Sequence, residues 1–92
     1  MSSVQIAALN SGLFEPKDIK IRAIPYKHYQ VGTDGSSFIH ISSRILSGRN
    51  SNQKSTLNSA IVSQLSPLAL SNCSITAEVI DIHKESYAKF EV

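Results

Sequence analysis

The chain has 92 residues, a formal net charge of +2 and a single cysteine, Cys73. This length predicts one small domain over residues 1–92, which would gain stability by associating with other subunits. Nine basic and seven acidic residues are too evenly balanced and scattered to indicate a nucleic-acid or membrane surface. No apolar run approaches about 18 residues, and serines rather than basic residues follow Met1. We therefore predict a cytoplasmic protein without disulfides.

The first predicted element is a short helix that ends within "NSGLFEP". Asn10 or Gly12 suits a left-handed cap, and Pro16 lies just beyond it. Ser2 or Ser3 is the candidate N-cap, which leaves only about two turns, shorter than the roughly 12 residues at which isolated helices become marginal. The segment therefore either depends on tertiary contacts or is the end of a longer helix.

An extended region follows, from "KDIKIRA" to "FIHISSRIL". A two-residue period predicts a first strand with one face formed by Ile19, Ile21 and Ala23. At Pro25 this strand ends, bulges, or continues from Tyr26 to Val31 as a second extended piece on a sheet edge. Asp34 and Gly35 both tolerate positive φ and predict a hairpin turn. The following strand, Phe38–Leu46, is predicted to turn its isoleucines towards the core: Ile39, Ile41 and Ile45.

A second helix is predicted to begin after Asn50, which has Gln53 as its capping-box partner. Pro67 limits this helix to about 15 residues, and its apolar stripe comprises Leu57, Ile61, Val62, Leu65 and Leu68. The last strand, within "SITAEVIDI", should bury Ile75, Ala77 and Val79. Strand, helix and strand together are long enough for a parallel crossover. A polar tail follows, with Tyr87 and Phe90 as aromatic anchors.

Three stretches carry a resemblance to a known family: "SGLFEPKDIKIRA", "FIHISSRILSGR" followed by "NQK", and "ITAEVIDIHKESYAK". They resemble the 5-carboxymethyl-2-hydroxymuconate isomerase family of the tautomerase superfamily, over nearly the whole chain. The resemblance implies an α+β fold, a (β-α-β)2 sandwich assembled as a homotrimer with active sites between subunits. It implies no metal and no cofactor. Compared with that complete fold, the chain is expected to be an amino-terminally truncated member. Its expected order is a helix end, a strand, a hairpin, a strand, a helix and a strand.

The resemblance also implies a chemistry, the isomerisation of dicarboxylic enol acids from aromatic breakdown. The base in the family is an amino-terminal proline, whereas Met1 and Ser2 stand here, so we expect no catalytic residue in this chain and little activity. Arg22 and Arg49 match arginines that the family uses for substrate. A guanidinium meets a carboxylate with two parallel hydrogen bonds. Arg49 directly precedes a helix N-terminus, where the helix dipole disfavours a cation. Because no local interaction explains an arginine there, Arg49 is the stronger candidate for binding substrate.

Other functions are weaker alternatives. A non-catalytic trimeric relative that binds small carboxylates, or serves only as an assembly, stays open. An RNA-binding α+β sandwich is disfavoured because no paired aromatics lie beside a basic strand. His28, His40 and His83 are not at metal-ligand spacings, and no G-x-S-x-G elbow supports a hydrolase. Arg44 is interpreted as an ordinary surface charge on its strand.

Overall fold

Two parallel ten-residue strands and two helices form the ordered framework of the chain. The computed structural model describes residues 1–32, 35–68 and 71–92. Helix α1 is Ser2–Asn10, strand β1 is Ser37–Leu46, helix α2 is Ser51–Leu65 and strand β2 is Cys73–Ile82. Single 3-10 turns lie at Pro16–Asp18, Ser66–Leu68 and Lys84–Ser86. The predicted α+β class is confirmed. The predicted parallel pairing of the strands that precede and follow α2 in the sequence is confirmed as well.

The pairing of β1 with β2 runs in register from Ser37 opposite Cys73 to Leu46 opposite Ile82. One face of this sheet packs against the helices, as the two-residue period predicts, through Ile41, Ile75, Ala77 and Val79. Ile45 is also buried. Ile39 shares that face by parity but is 41% exposed, so its predicted place in the core is wrong. The core does not extend to the beginning of β1.

Helix α2 is the best specified element of the chain. The Asn50 side chain accepts from the Gln53 backbone N–H at 2.8 Å, and the Gln53 side chain accepts from the Asn50 N–H at 2.9 Å. This confirms the predicted capping box and the predicted length of 15 residues. The apolar stripe packs on β2 and α1, with Leu57, Ile61 and Leu65 buried. Leu68 is 66% exposed, so that end of the predicted stripe is wrong.

The capping box gives a stability prediction. We expect Asn50→Ala to lower the free energy of unfolding by about 1 kcal/mol, because the Gln53 N–H then has no side-chain acceptor. Asn52→Ala is the matched control, since Asn52 is exposed in the same helical turn. Urea unfolding followed by circular dichroism measures both. Equal losses in the two variants would show that the cap contributes nothing of its own.

The amino-terminal third departs from the sequence predictions. The N-cap of α1 is Met1, without a side-chain hydrogen bond, so neither Ser2 nor Ser3 caps the helix. At the other end Ser11 is the right-handed C-cap and Gly12 follows at φ +71°, which confirms glycine as the residue with left-handed backbone. A left-handed conformation there favours glycine because it has no Cβ.

The predicted strand at residues 19–25 does not form. Ile19 has extended backbone angles. Among the described residues, however, β1 forms strand hydrogen bonds only with β2, so residues 19–31 pair with no strand. The reason is that a strand exists only when a neighbour supplies its hydrogen bonds, and the alternation in sequence does not provide that neighbour. The antiparallel pairing expected of a hairpin is absent for the same reason within the described ranges. Asp34, in the predicted turn, lies outside the described residues.

The chain exposes more surface than a compact monomer of its size. Its accessible area is 7299 Å². A monomer of the same mass would expose about 5,200 Å². Its radius of gyration is 14.8 Å, against about 12 Å for a compact domain. The tail contributes to this excess: Tyr87 is 48% exposed, and Phe90 is 88% exposed and so does not anchor the tail within a single copy.

Candidate functional site

Arg49 lies where the end of β1, the start of α2 and the loop after α1 meet. Its guanidinium donates from Nη2 to the Leu13 carbonyl at 2.8 Å and from Nη1 to the Leu46 carbonyl at 3.3 Å. The guanidinium carbon lies 5.3 Å from the centre of the Phe14 ring. The expectation that Arg49 lacks a local structural partner is therefore wrong, because it links three segments of the chain.

These contacts leave part of the guanidinium available for a ligand. A guanidinium has five N–H donors, and two of them are used within the described residues. Arg49 is half-buried and is held by backbone carbonyls, which compensate no charge. The first N–H groups of helix α2 follow directly, and the capping box occupies those of Asn50 and Gln53. The remaining guanidinium donors and the positive charge of Arg49 suit a carboxylate ligand.

Arg22 is the second candidate arginine. It is exposed in the extended segment after Ile21, and it makes no hydrogen bond or ion pair to another described residue. It shares no hydrogen-bonding partner with Arg49 in the described part of the chain. No hydrogen bond among the described residues connects the two candidate arginines, and the role of Arg22 stays a prediction.

Two open clefts lie in the amino-terminal half. One, of about 390 Å³, is formed by residues 29–31 and 35–37. The other, of about 230 Å³, lies between α1 and the extended segment and is lined by Met1, Gln5, Ile19 and Ile21. Arg49 lines neither of these two clefts.

Comparison with known proteins identifies the family. The family model described as 5-carboxymethyl-2-hydroxymuconate isomerase matches residues 1–89. The chain belongs to the 5-carboxymethyl-2-hydroxymuconate isomerase family. Its α+β fold, with a β-α-β unit of parallel strands, is consistent with the tautomerase superfamily. No curated protein matches the chain.

The open face of the sheet in this isomerase-family chain carries a polar network that the sequence did not indicate as a unit. His40 Nε2 donates to Glu78 Oε2, and the Ser42 hydroxyl donates to the same oxygen at 3.2 Å. Because the carboxylate only accepts, Nε2 is the donor in that bond, and His40 Nδ1 is hydrogen-bonded to the Thr76 hydroxyl at 2.6 Å. These bonds from His40 and Ser42 hold the pKa of Glu78 below its ordinary value.

The signal for this network was present in the alternation of each strand. His40 and Ser42 share one parity in β1, and Thr76 and Glu78 share one in β2. What the sequence lacked was the register, which places His40 opposite Thr76 and Ser42 opposite Glu78. The network satisfies polar groups on the sheet face away from the helices, and it does not contact Arg49.

No group of three or more metal-ligating side chains gathers in residues 1–32, 35–68 and 71–92. In the same ranges no helix has the length and apolar character needed to cross a bilayer.

Proposed function

We propose that the protein is an isomerase that interconverts the enol and keto forms of 5-carboxymethyl-2-hydroxymuconate-like dicarboxylic acids during aromatic catabolism. The proposal places it in the cytoplasm and in a homotrimer, without metal or cofactor. The observation that carries it is Arg49, fixed at the start of α2 with guanidinium donors still available in a chain of this family.

The chemistry divides between binding and proton transfer. Moving a proton between carbon and oxygen spreads negative charge over the carbonyl and carboxylate oxygens of the substrate. Arg49 would bind a substrate carboxylate in bidentate fashion and remain charged at every relevant pH. The Leu13 and Leu46 carbonyls orient the guanidinium and stay neutral, so its full charge is available to the ligand.

The base requires a group that the interior prolines cannot provide. Pro16, Pro25 and Pro67 lie within the chain, so their nitrogens are amides without a basic lone pair. The family resemblance implies a free amino-terminal proline, whose secondary amine accepts a proton near neutral pH when burial and positive charge lower its pKa. We therefore expect proton transfer to require such a proline amine, whereas Arg49 serves dicarboxylate binding.

Two proteins test the proposal: the 92-residue chain, and a chimera in which a proline-first strand and helix from an active family member precede it. Ultraviolet absorbance follows ketonisation of 2-hydroxymuconate-type substrates, and calorimetry follows binding. We expect turnover by the chimera and its loss when the first proline is replaced by alanine. A folded chimera that binds dicarboxylate without turnover would favour the non-catalytic, carboxylate-binding alternative. Absence of binding by both proteins would contradict both functions.

A further inference from the structure

The last five residues of the chain have the pattern of a strand without a sheet. Ala88, Phe90 and Val92 alternate with Lys89 and Glu91. The backbone enters this segment extended, with Tyr87 at φ −75° and ψ 132°, but no strand is formed there. Phe90 is 88% exposed and Val92 is fully exposed. An alternating segment of this kind gains stability when its apolar side is covered.

Lys89 forms a pair of salt bridges, called the clasp below, and the one to Asp18 connects this tail to the rest of the chain. Lys89 Nζ lies 2.7 Å from Asp18 Oδ1 and 2.6 Å from Glu91 Oε1. The hydrogen bond to Asp18 raises the pKa of Lys89, and the same bond lowers that of Asp18. With Lys89 held against the chain, the neighbouring Phe90 extends away from it. The tail is thus positioned with its apolar side turned outward.

The cleft beside α1 is open to solvent and has a mixed polar and apolar lining. Its volume is about 230 Å³, and Met1, Ile19 and Ile21 supply apolar lining beside Gln5. A cavity of about 150 Å³ is enough to hold a benzene molecule. The clasp attaches the tail at Asp18, next to Ile19, yet Phe90 remains exposed and does not fill the cleft of its own chain.

We propose that residues 88–92 of one copy bind a second copy of the chain, with Phe90 inserted into the cleft formed by Met1, Gln5, Ile19 and Ile21. The available area supports a second copy as the occupant. The chain exposes 7299 Å², about 2,000 Å² more than a compact monomer of its mass. A stable interface needs about 800 Å² from each partner. This contact is independent of the proposed catalysis, since it uses none of the arginines.

Cross-linking between two different variants tests the contact directly. Both carry Cys73→Ser, because Cys73 is the only native cysteine. One adds Phe90→Cys and the other Gln5→Cys. After mixing, mild oxidation and a non-reducing gel, we expect a disulfide-linked heterodimer identified by mass. Leu68→Cys replaces Phe90→Cys in the control mixture, because Leu68 is also a large exposed residue at 66%. We expect no comparable product there.

Two results would overturn the proposal. One is a mixture that yields no more heterodimer than the Leu68→Cys control. The other is a Phe90→Cys/Gln5→Cys double variant that links only within one chain, which would show that the tail folds back on its own cleft. Sedimentation gives a second measurement: Phe90→Ser should weaken self-association at least tenfold, whereas Leu68→Ser should not. Equal self-association of these two variants, with matching circular dichroism, would also overturn it. Neither measurement depends on isomerase activity.

Discussion

On dilution from micromolar to low nanomolar concentration, we expect the protein to dissociate and to unfold over the same range. The physical reason is the small core of a single copy. Only six apolar residues of the described ranges are buried, namely Ala7, Ala8, Ile45, Leu57, Ile61 and Leu65. The sheet has two strands, and such small sheets are marginal unless further strands or helices cover them. Subunit contacts must therefore provide much of the folding free energy.

The backbone of β1 adds to this dependence. One of its edges pairs with β2, and no described segment pairs with the other edge. An unpaired edge is a template for association, and each polar backbone group that is buried without a partner costs about 1–3 kcal/mol. We expect a neighbouring strand, from a second subunit or from the same chain, to complete this edge and to cover Ile39.

Sedimentation velocity and circular dichroism across one dilution series measure both processes together. The expected result is a loss of the larger species that coincides with a loss of helical signal. The Phe90→Ser variant should shift both curves to higher concentration together. A well-folded monomer at micromolar concentration, with cooperative unfolding independent of protein concentration, would contradict this prediction.

The second large effect concerns Arg49 in the proline-first chimera. We expect Arg49→Ala to lower kcat/KM for a dicarboxylic enol acid by about tenfold to a hundredfold, equivalent to roughly 1.4 to 2.7 kcal/mol. The variant loses the guanidinium that would bind a carboxylate. It also loses the bonds to Leu13 and Leu46, so the unfolding free energy must be measured alongside.

Two further variants separate binding from folding. Arg49→Lys keeps the charge without the bidentate fork, so it should recover only part of kcat/KM. Arg44→Ala is the matched control, because Arg44 is an exposed arginine on the neighbouring strand. It should leave kcat/KM unchanged. Unchanged kinetics in a folded Arg49→Ala protein would restrict Arg49 to the structural contacts described above.

Local signals in the sequence predicted the elements that are stabilised by near neighbours. Asn50 and Gln53 are three residues apart, so their capping box is visible in the sequence and confirmed in the structure. The inward face of β2 followed from its alternation in the same way. The strand predicted at residues 19–25 failed because its formation depends on a partner elsewhere, which no local pattern specifies.

The candidate site shows the same division. That Arg49 precedes a helix was visible in the sequence, whereas its bond to Leu13, 36 residues away, was not. The His40–Glu78 network depends on the register of two strands that are separated by a whole helix. Resemblance to the family indicated Arg22 and Arg49 together, and no described hydrogen bond connects them, so their joint role stays a prediction.

The constant register of the two strands also bears on how the chain folds. Every rung from Ser37–Cys73 to Leu46–Ile82 joins residues 36 positions apart. The entropy of closing that loop is lost once, at the first rung, and the later rungs close almost no additional loop. Helix α2 occupies 15 of the intervening residues, and its capping box favours early formation. A preformed helix shortens the flexible span that must close, so we expect the strands to join in one cooperative step after the helix has formed.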